Sequence, residues 1–112
     1  MFYKSENIGY KQPLAGIKFK TLVYGERTLF AEFLLKKGSK LPAHRHPHEQ
    51  TGYLVGGRIR LCIGEETFEA EPRDSWCIPG DVEHSAEVIA DSIAIEVFSP
   101  VREDYLPQNP DE

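Results

Sequence analysis

The chain has 112 residues, 40% of them hydrophobic and 28% charged, with 13 basic against 18 acidic side chains and a formal net charge of −5. That is enough for one soluble domain with a core of its own, needing neither disulfides nor an obligatory metal. No basic run exceeds Lys36-Lys37, which argues against nucleic acid as a partner, and no apolar run approaches the ~18 residues of a membrane span.

Helical periodicity is nearly absent, and strand signals recur along the whole chain. The N-terminal stretch carries Lys4, Glu6, Lys11, Lys18 and Lys20 without an apolar h-region, so no signal peptide is expected. Leu14 to Tyr24 alternate loosely as a first strand that ends at Gly25-Glu26. Arg27 to Lys36 form the next, with Leu29, Ala31, Phe33 and Leu35 on one face, and Gly38 to Pro42 break it. Thr51 to Val55 read as a strand, Gly56-Gly57 as a turn, and Arg58 to Ile63 as a strand with Ile59, Leu61 and Ile63 on one face. Gly64-Glu65 turns the chain into Thr67 to Ala70. Ser75 to Ile78 make a short strand before Pro79-Gly80-Asp81. His84 to Ile89 and Ser92 to Phe98 close the series across a turn at Ala90-Asp91. Many short strands at near-even spacing predict a sandwich or small barrel in a single domain, with a core of about residues 29–98 and a flexible tail at 107–112. Cys62 and Cys77 form no Cys-x-x-Cys motif and read as small hydrophobes, free thiols in a reducing cytoplasm.

Chemistry concentrates at residues 44–50, His-Arg-His-Pro-His-Glu-Gln; the only other histidine is His84. Neutral imidazole is the commonest protein metal ligand. A His-x-His pair on a strand places both rings on one face. Two such rings and a distant third can hold one metal ion.

The segment Gly38-x5-His44-x-His46-x3-Gln50-x6-Gly57 resembles the first cupin motif, and Pro79-Gly80-Asp81-Val82-Glu83-His84 resembles the second. Both occur in order in a β-rich chain, with Arg58 to Glu71 between them. The resemblance implies an all-β, double-stranded β-helix barrel of the jelly-roll type, with one divalent metal inside it held by residues of both motifs. Small members of that family often pair as homodimers through N-terminal strands, which the resemblance extends to this chain. Two positions depart from the pattern. The second motif's early glycine is Arg73, still followed by Asp74, and the glutamate of the first motif is Gln50, with Glu49 one residue early. Positions 44, 46, 48 and 50 share parity in an extended backbone while Glu49 points the other way, and Pro47 interrupts the ladder. The expected ligands are therefore His44, His46, Gln50 and His84, with His48 on the rim. A glutamine ligand leaves both positive charges of the ion uncompensated, making it a stronger Lewis acid than a carboxylate-bound ion. It also departs from the two-His-one-carboxylate set of iron oxygenases. Zn²⁺, Ni²⁺, Mn²⁺, Fe²⁺ and Cu²⁺ all suit such donors.

Near the C-terminus, Ile93, Ile95 and Val97 share one strand face, while Ala94, Glu96 and Phe98 share the other. Glu96 can then project into the barrel, and Arg102 is a natural carboxylate clamp. Glu-Val-Phe-Ser-Pro-Val-Arg-Glu-Asp-Tyr-Leu, from Glu96 to Leu106, resembles the tail of the pectin-degradation cupins, and His-Pro-His-Glu-Gln resembles their first motif. That group converts 4,5-unsaturated galacturonate into its linear keto form, using an acidic residue, a phenylalanine and an arginine that match Glu96, Phe98 and Arg102. The group commonly has aspartate at the first of these. The resemblance implies a metal-assisted isomerase, with Arg102 on the substrate carboxylate, Glu96 moving the proton, and Phe98 with Tyr53 or Trp76 walling the pocket. The competing expectations are an iron-dependent dioxygenase on a small molecule and a non-catalytic sugar-binding module.

Overall fold

A computed structural model describes residues 1–106; the tail expected to be flexible at 107–112 lies outside the described residues. Among the described residues the strands are β1 (Lys11–Leu14), β2 (Ile17–Tyr24), β3 (Leu29–Leu35), β4 (Lys40–His44), β5 (Glu49–Ile63), β6 (Glu66–Ala70), β7 (Ser75–Ile78) and β8 (His84–Ser99). A single 3₁₀ turn follows at Glu103–Tyr105. The strands pair in the order β1-β2-β3-β8-β5-β6, with β4 also on β8 and β7 also on β5. This is the all-β architecture expected from the strand spacing, and the jelly-roll type that the cupin resemblance implies.

β5 and β8 are the spine, and they differ from the sequence reading in an instructive way. Gly56-Gly57 and Ala90-Asp91 do not reverse the chain; each lies within one long strand. Instead, the ladder between the two strands shifts register around Gly56 to Ile59. Gly57 sits at φ 94°, and a Cβ there would lie 2.4 Å from the Asp91 carbonyl and 2.1 Å from Ser92 Oγ. The Ser92 hydroxyl stitches the irregularity, donating to the Ala90 carbonyl at 2.6 Å and accepting from the Arg58 amide at 3.0 Å. A glycine pair can mark a bulge as readily as a turn, and here the bulge bends both strands together.

Two smaller differences have local causes. The first expected strand is split by a turn at Ala15-Gly16, where Gly16 takes φ 75°, and Lys11–Leu14 folds back on β2. The expected break at Gly38 to Pro42 is confined to its start, because Lys40–His44 pairs with β8 despite Pro42. Arg73 stands where the motif has glycine and adopts the glycine conformation, φ 79°, its amide donating to the Leu54 carbonyl at 2.8 Å. The turn is therefore kept without the glycine. The interior is filled from alternating positions of β2, β3, β5 and β8, including Leu29, Ala31, Phe33 and Leu35 as the period-2 pattern requires.

Candidate metal centre

Two strands and one loop bring the histidines together. His44 ends β4 and is the cross-strand partner of His84, which begins β8. His46 lies in the connection to β5. The donor atoms of His44, His46 and His84 all lie within 4.8 Å of one another. Their ring centroids are 4.2 Å apart for His44 and His84, 4.9 Å for His46 and His84, and 5.7 Å for His44 and His46.

The hydrogen bonds decide which nitrogens face inward. His44 Nδ1 contacts the Pro42 carbonyl at 2.9 Å, and His84 Nδ1 the Val82 carbonyl at 2.9 Å. In neutral rings these nitrogens carry the proton, leaving each Nε2 lone pair free. His84 Nε2 is buried without a hydrogen-bond partner, a costly arrangement unless something else occupies the lone pair. His46 is placed between two acceptors, the His48 carbonyl at 3.1 Å from Nδ1 and Gln50 Oε1 at 3.0 Å from Nε2. A neutral imidazole has one N–H for those two oxygens. Burial first, then the Arg102 and His84 charges, lowers the His46 pKa; burial first, with His44 and Arg102, lowers that of His84. Both rings are thus held neutral, and His46 Nε2 and Gln50 Oε1 present lone pairs to the same space. Converging lone pairs and an orphaned imidazole nitrogen are what a bound cation would satisfy, so the donor set fits a divalent metal.

The remaining sequence candidates surround this trio. Gln50 faces inward on β5 and is buried, whereas its neighbour Glu49 is exposed. His48 stands beside the trio, its ring 5.6 Å from that of His46, and is not among the residues whose donor atoms converge. Glu96 and Phe98 point inward from β8 and are 8% and 1% exposed. Glu96 Oε2 accepts hydrogen bonds from Gln50 Nε2 and, at 3.3 Å, from Trp76 Nε1. Burial raises the Glu96 pKa, against the opposing pull of those two donors and Arg102. His44, Gln50, Trp76, His84, Glu96, Phe98 and Arg102 all line one cavity. Tyr53 does not: it is 39% exposed on the outer face, so the wall expected from Tyr53 or Trp76 is supplied by Trp76. Tyr53 and Gln50 have opposite parity on β5, which accounts for the difference.

Two residues of the site escaped the sequence reading. Tyr105 stacks on the Arg102 guanidinium, 3.8 Å from ring centroid to Cζ, and packs on Phe19 and Phe98 at 4.4 and 5.2 Å. Burial pushes its hydroxyl up to about 12. Asp104 holds Arg102 through Nε–Oδ1 at 3.1 Å and Nη2–Oδ2 at 2.7 Å. The Arg102 hydrogen bond keeps the Asp104 carboxyl below its ordinary range. The Arg-x-x-Tyr spacing was the available signal, because one helical turn brings such a pair to one face.

Residues 31–99 match the family model described as Cupin domain. Among solved structures, the chain is similar to KdgF from Halomonas sp., at 26% identity and a TM-score of 0.88 over 95% of this chain and 100% of that one. It is equally close in shape to an RmlC-like cupin from Shewanella frigidimarina, at 27% identity and a TM-score of 0.88 over 94% and 95% of the two chains. Polyketide synthase CurC from Streptomyces cyaneus is 30% identical over 66 residues, 58% of this chain and 43% of that protein. The match thus spans less than half of that relative's length.

Proposed function

Because the chain belongs to the cupin family, its match covering residues 31–99, we propose that it is a metal-dependent isomerase converting a 4,5-unsaturated uronate to its linear keto form. The observation that carries this reading is one shared cavity. The carboxylate, aromatic ring and guanidinium of the segment resembling pectin-degradation cupins line it together with His44, His84 and Gln50.

His44, His46, His84 and Gln50 would hold the ion, which would supply Lewis acidity toward the substrate's oxygens. Arg102 recognises the substrate carboxylate with its planar fork. Its side chain is only 14% exposed and already turned onto Tyr105, so its position is fixed before substrate arrives. Glu96 moves the proton as general acid and base. Both of its hydrogen bonds fall on Oε2, so Oε1 takes neither of them. Its raised pKa favours carrying a proton closer to neutrality than an exposed carboxyl would. Phe98 closes one wall and keeps water from the reacting carbons.

The test is incubation of the metal-loaded protein with unsaturated galacturonate. The ultraviolet absorbance of the C4–C5 enoate should decay faster than in buffer, and Glu96→Ala should remove the acceleration. Tight uronate binding without decay would leave a binding module. Oxygen consumption with Fe²⁺ and a small phenol or thiol would indicate an oxygenase.

A further inference from the structure

Gln50 could turn either end of its amide toward the histidine trio, since the oxygen and nitrogen ends are alike in shape but opposite in hydrogen bonding. An amide oxygen can serve a cation; an amide NH₂ cannot. We infer that Glu96 and Trp76 form a clamp that fixes this choice, making both positioning residues for the metal centre in addition to the pocket roles given above. The inference rests on the metal-site reading of the histidine trio.

Gln50 Nε2 donates to Glu96 Oε2, while Oε1 faces His46 Nε2 at 3.0 Å. Reversing the amide would set an acceptor oxygen against a carboxylate oxygen inside the barrel, where both side chains are buried. The carboxylate is steadied in turn by Trp76 Nε1, at 3.3 Å. An indole N–H can only donate and an ionised carboxylate can only accept, so with Glu96 ionised the chain Trp76 → Glu96 ← Gln50 has a single hydrogen-bonding sense.

The backbone register shows how the clamp is built. Trp76 is on β7 and Glu96 on β8, on opposite sides of β5, and both are cross-strand partners of the same residue, Gly52. A Cβ at position 52 would lie 2.2 Å from Trp76 Nε1 and Cε2. The absence of a side chain there lets the indole lie across β5 and reach the carboxylate beyond it. Gly52, two residues from Gln50 on the same strand face, is therefore part of the device.

Two measurements test it. In metal-free protein, the Gln50 side-chain amide resonance, assigned by its loss in Gln50→Ala, should be shifted downfield by its bond to Glu96. That shift should collapse in Glu96→Ala and weaken in Trp76→Phe, which keeps an aromatic ring but no N–H. In the metal arm, Zn²⁺ affinity and the Co²⁺ absorption spectrum are recorded for wild type, Glu96→Ala, Glu96→Gln, Gln50→Ala and the Gln50→Ala/Glu96→Ala double variant. Glu96→Ala should weaken Zn²⁺ binding by about 10–100-fold, as loss of a partner that orients a ligand does. Glu96→Gln, which retains an acceptor but no charge, should stay near wild type. In the Gln50→Ala background the further removal of Glu96 should change affinity by no more than about twofold, because the two residues act as one unit. An equal loss in both backgrounds, with Glu96→Gln as weak as Glu96→Ala, would overturn the clamp by showing that the Glu96 charge acts on the ion directly. An unshifted amide resonance in wild type would overturn it as well. If wild type bound no Zn²⁺, the metal reading and the clamp's part in it would both fall, whatever the resonance showed.

Discussion

Asp104 occupies the arginine that the proposed substrate needs. It takes the Nε–Nη2 edge of Arg102, at 3.1 and 2.7 Å, so a uronate carboxylate that uses this edge must compete with it. The Arg102 side chain is 14% exposed and the Asp104 side chain 60%, so water screens the pair from one side only. Exposed ion pairs are worth about 0.2–1 kcal/mol, and this two-point pair belongs at the upper end. Arg102 does not depend on Asp104 for its place, because its guanidinium also rests 3.8 Å from the Tyr105 ring centroid. Asp104→Asn removes the competing charge and leaves the stack. Release of about 1 kcal/mol to the substrate should lower KM for the uronate up to about fivefold, with kcat unchanged. Arg102→Lys, which loses both fork and stack, should raise KM by tenfold or more on the scale of about 1.4 kcal/mol per decade. Steady-state kinetics on the enoate absorbance reads both. If Asp104→Asn lowered kcat and left KM unchanged or raised, Asp104 would be holding Arg102 in its working position, and the competition argument would be wrong.

Other consequences can be checked without substrate. Phe98 is 1% exposed and belongs to both core and cavity, so Phe98→Ala should cost about 3–5 kcal/mol in urea unfolding and Phe98→Leu far less. Arg73 at φ 79° should tolerate glycine better than arginine: Arg73→Gly should raise stability by about 0.5–1 kcal/mol, the left-handed strain being partly offset by greater freedom of the unfolded chain. The lowered pKa values of His46 and His84 mean that the unfolded chain binds protons before the folded one does. Metal-free protein should therefore lose melting temperature as pH falls through the ordinary histidine value of 6.5. Glu96 works in the opposite sense, its raised pKa letting the folded state take its proton first, so Glu96→Gln should make that acid-side loss steeper. A metal at a hundredfold over its Kd should stabilise the fold by about 2.7 kcal/mol, an increment that a chelator reverses and His84→Ala lacks.

The parts of this site visible in the sequence are those that obey strand periodicity or motif spacing. Period 2 puts Gln50 inward and Glu49 outward, groups Leu29 to Leu35 on a buried face, and separates Glu96 and Phe98 from Ile93 and Ile95. What stayed hidden depends on contacts between distant elements. Nothing near Trp76 indicates that its indole will cross a glycine to reach Glu96, because that geometry exists only once β7 and β8 flank β5. Tyr105 is recruited by Phe19, which comes from the opposite end of the chain. The misread turns at Gly56-Gly57 and Ala90-Asp91 have the same origin. Each resembles a reversal locally, and only the pairing of one with the other makes them a bulge.

That bulge is what allows one cavity to draw on both motifs. On β8, His84 and Phe98 lie near opposite ends of the strand, and on β5 their cross-strand partners are Ile63 and Gln50. In two straight strands those positions would be held far apart, at about 3.3 Å per residue. Yet His84, Ile59, Gln50, Glu96 and Phe98 line the same space, so the two halves of the spine must fold toward each other between Gly57 and Ser92. Gly57→Ala strikes that hinge. Its φ of 94° costs an alanine about 1–2 kcal/mol, and overpacking adds about 1–3 kcal/mol, here against the Asp91 carbonyl, which as backbone cannot swing away. Stability and metal affinity should therefore fall together in Gly57→Ala, whereas His84→Ala should lose the metal while the metal-free fold survives. The comparison needs urea unfolding and Zn²⁺ titration on both variants. A Gly57→Ala protein that was destabilised yet bound Zn²⁺ like wild type would show that the histidine trio is assembled by β4 and the His84 end of β8 alone, with no help from the bend.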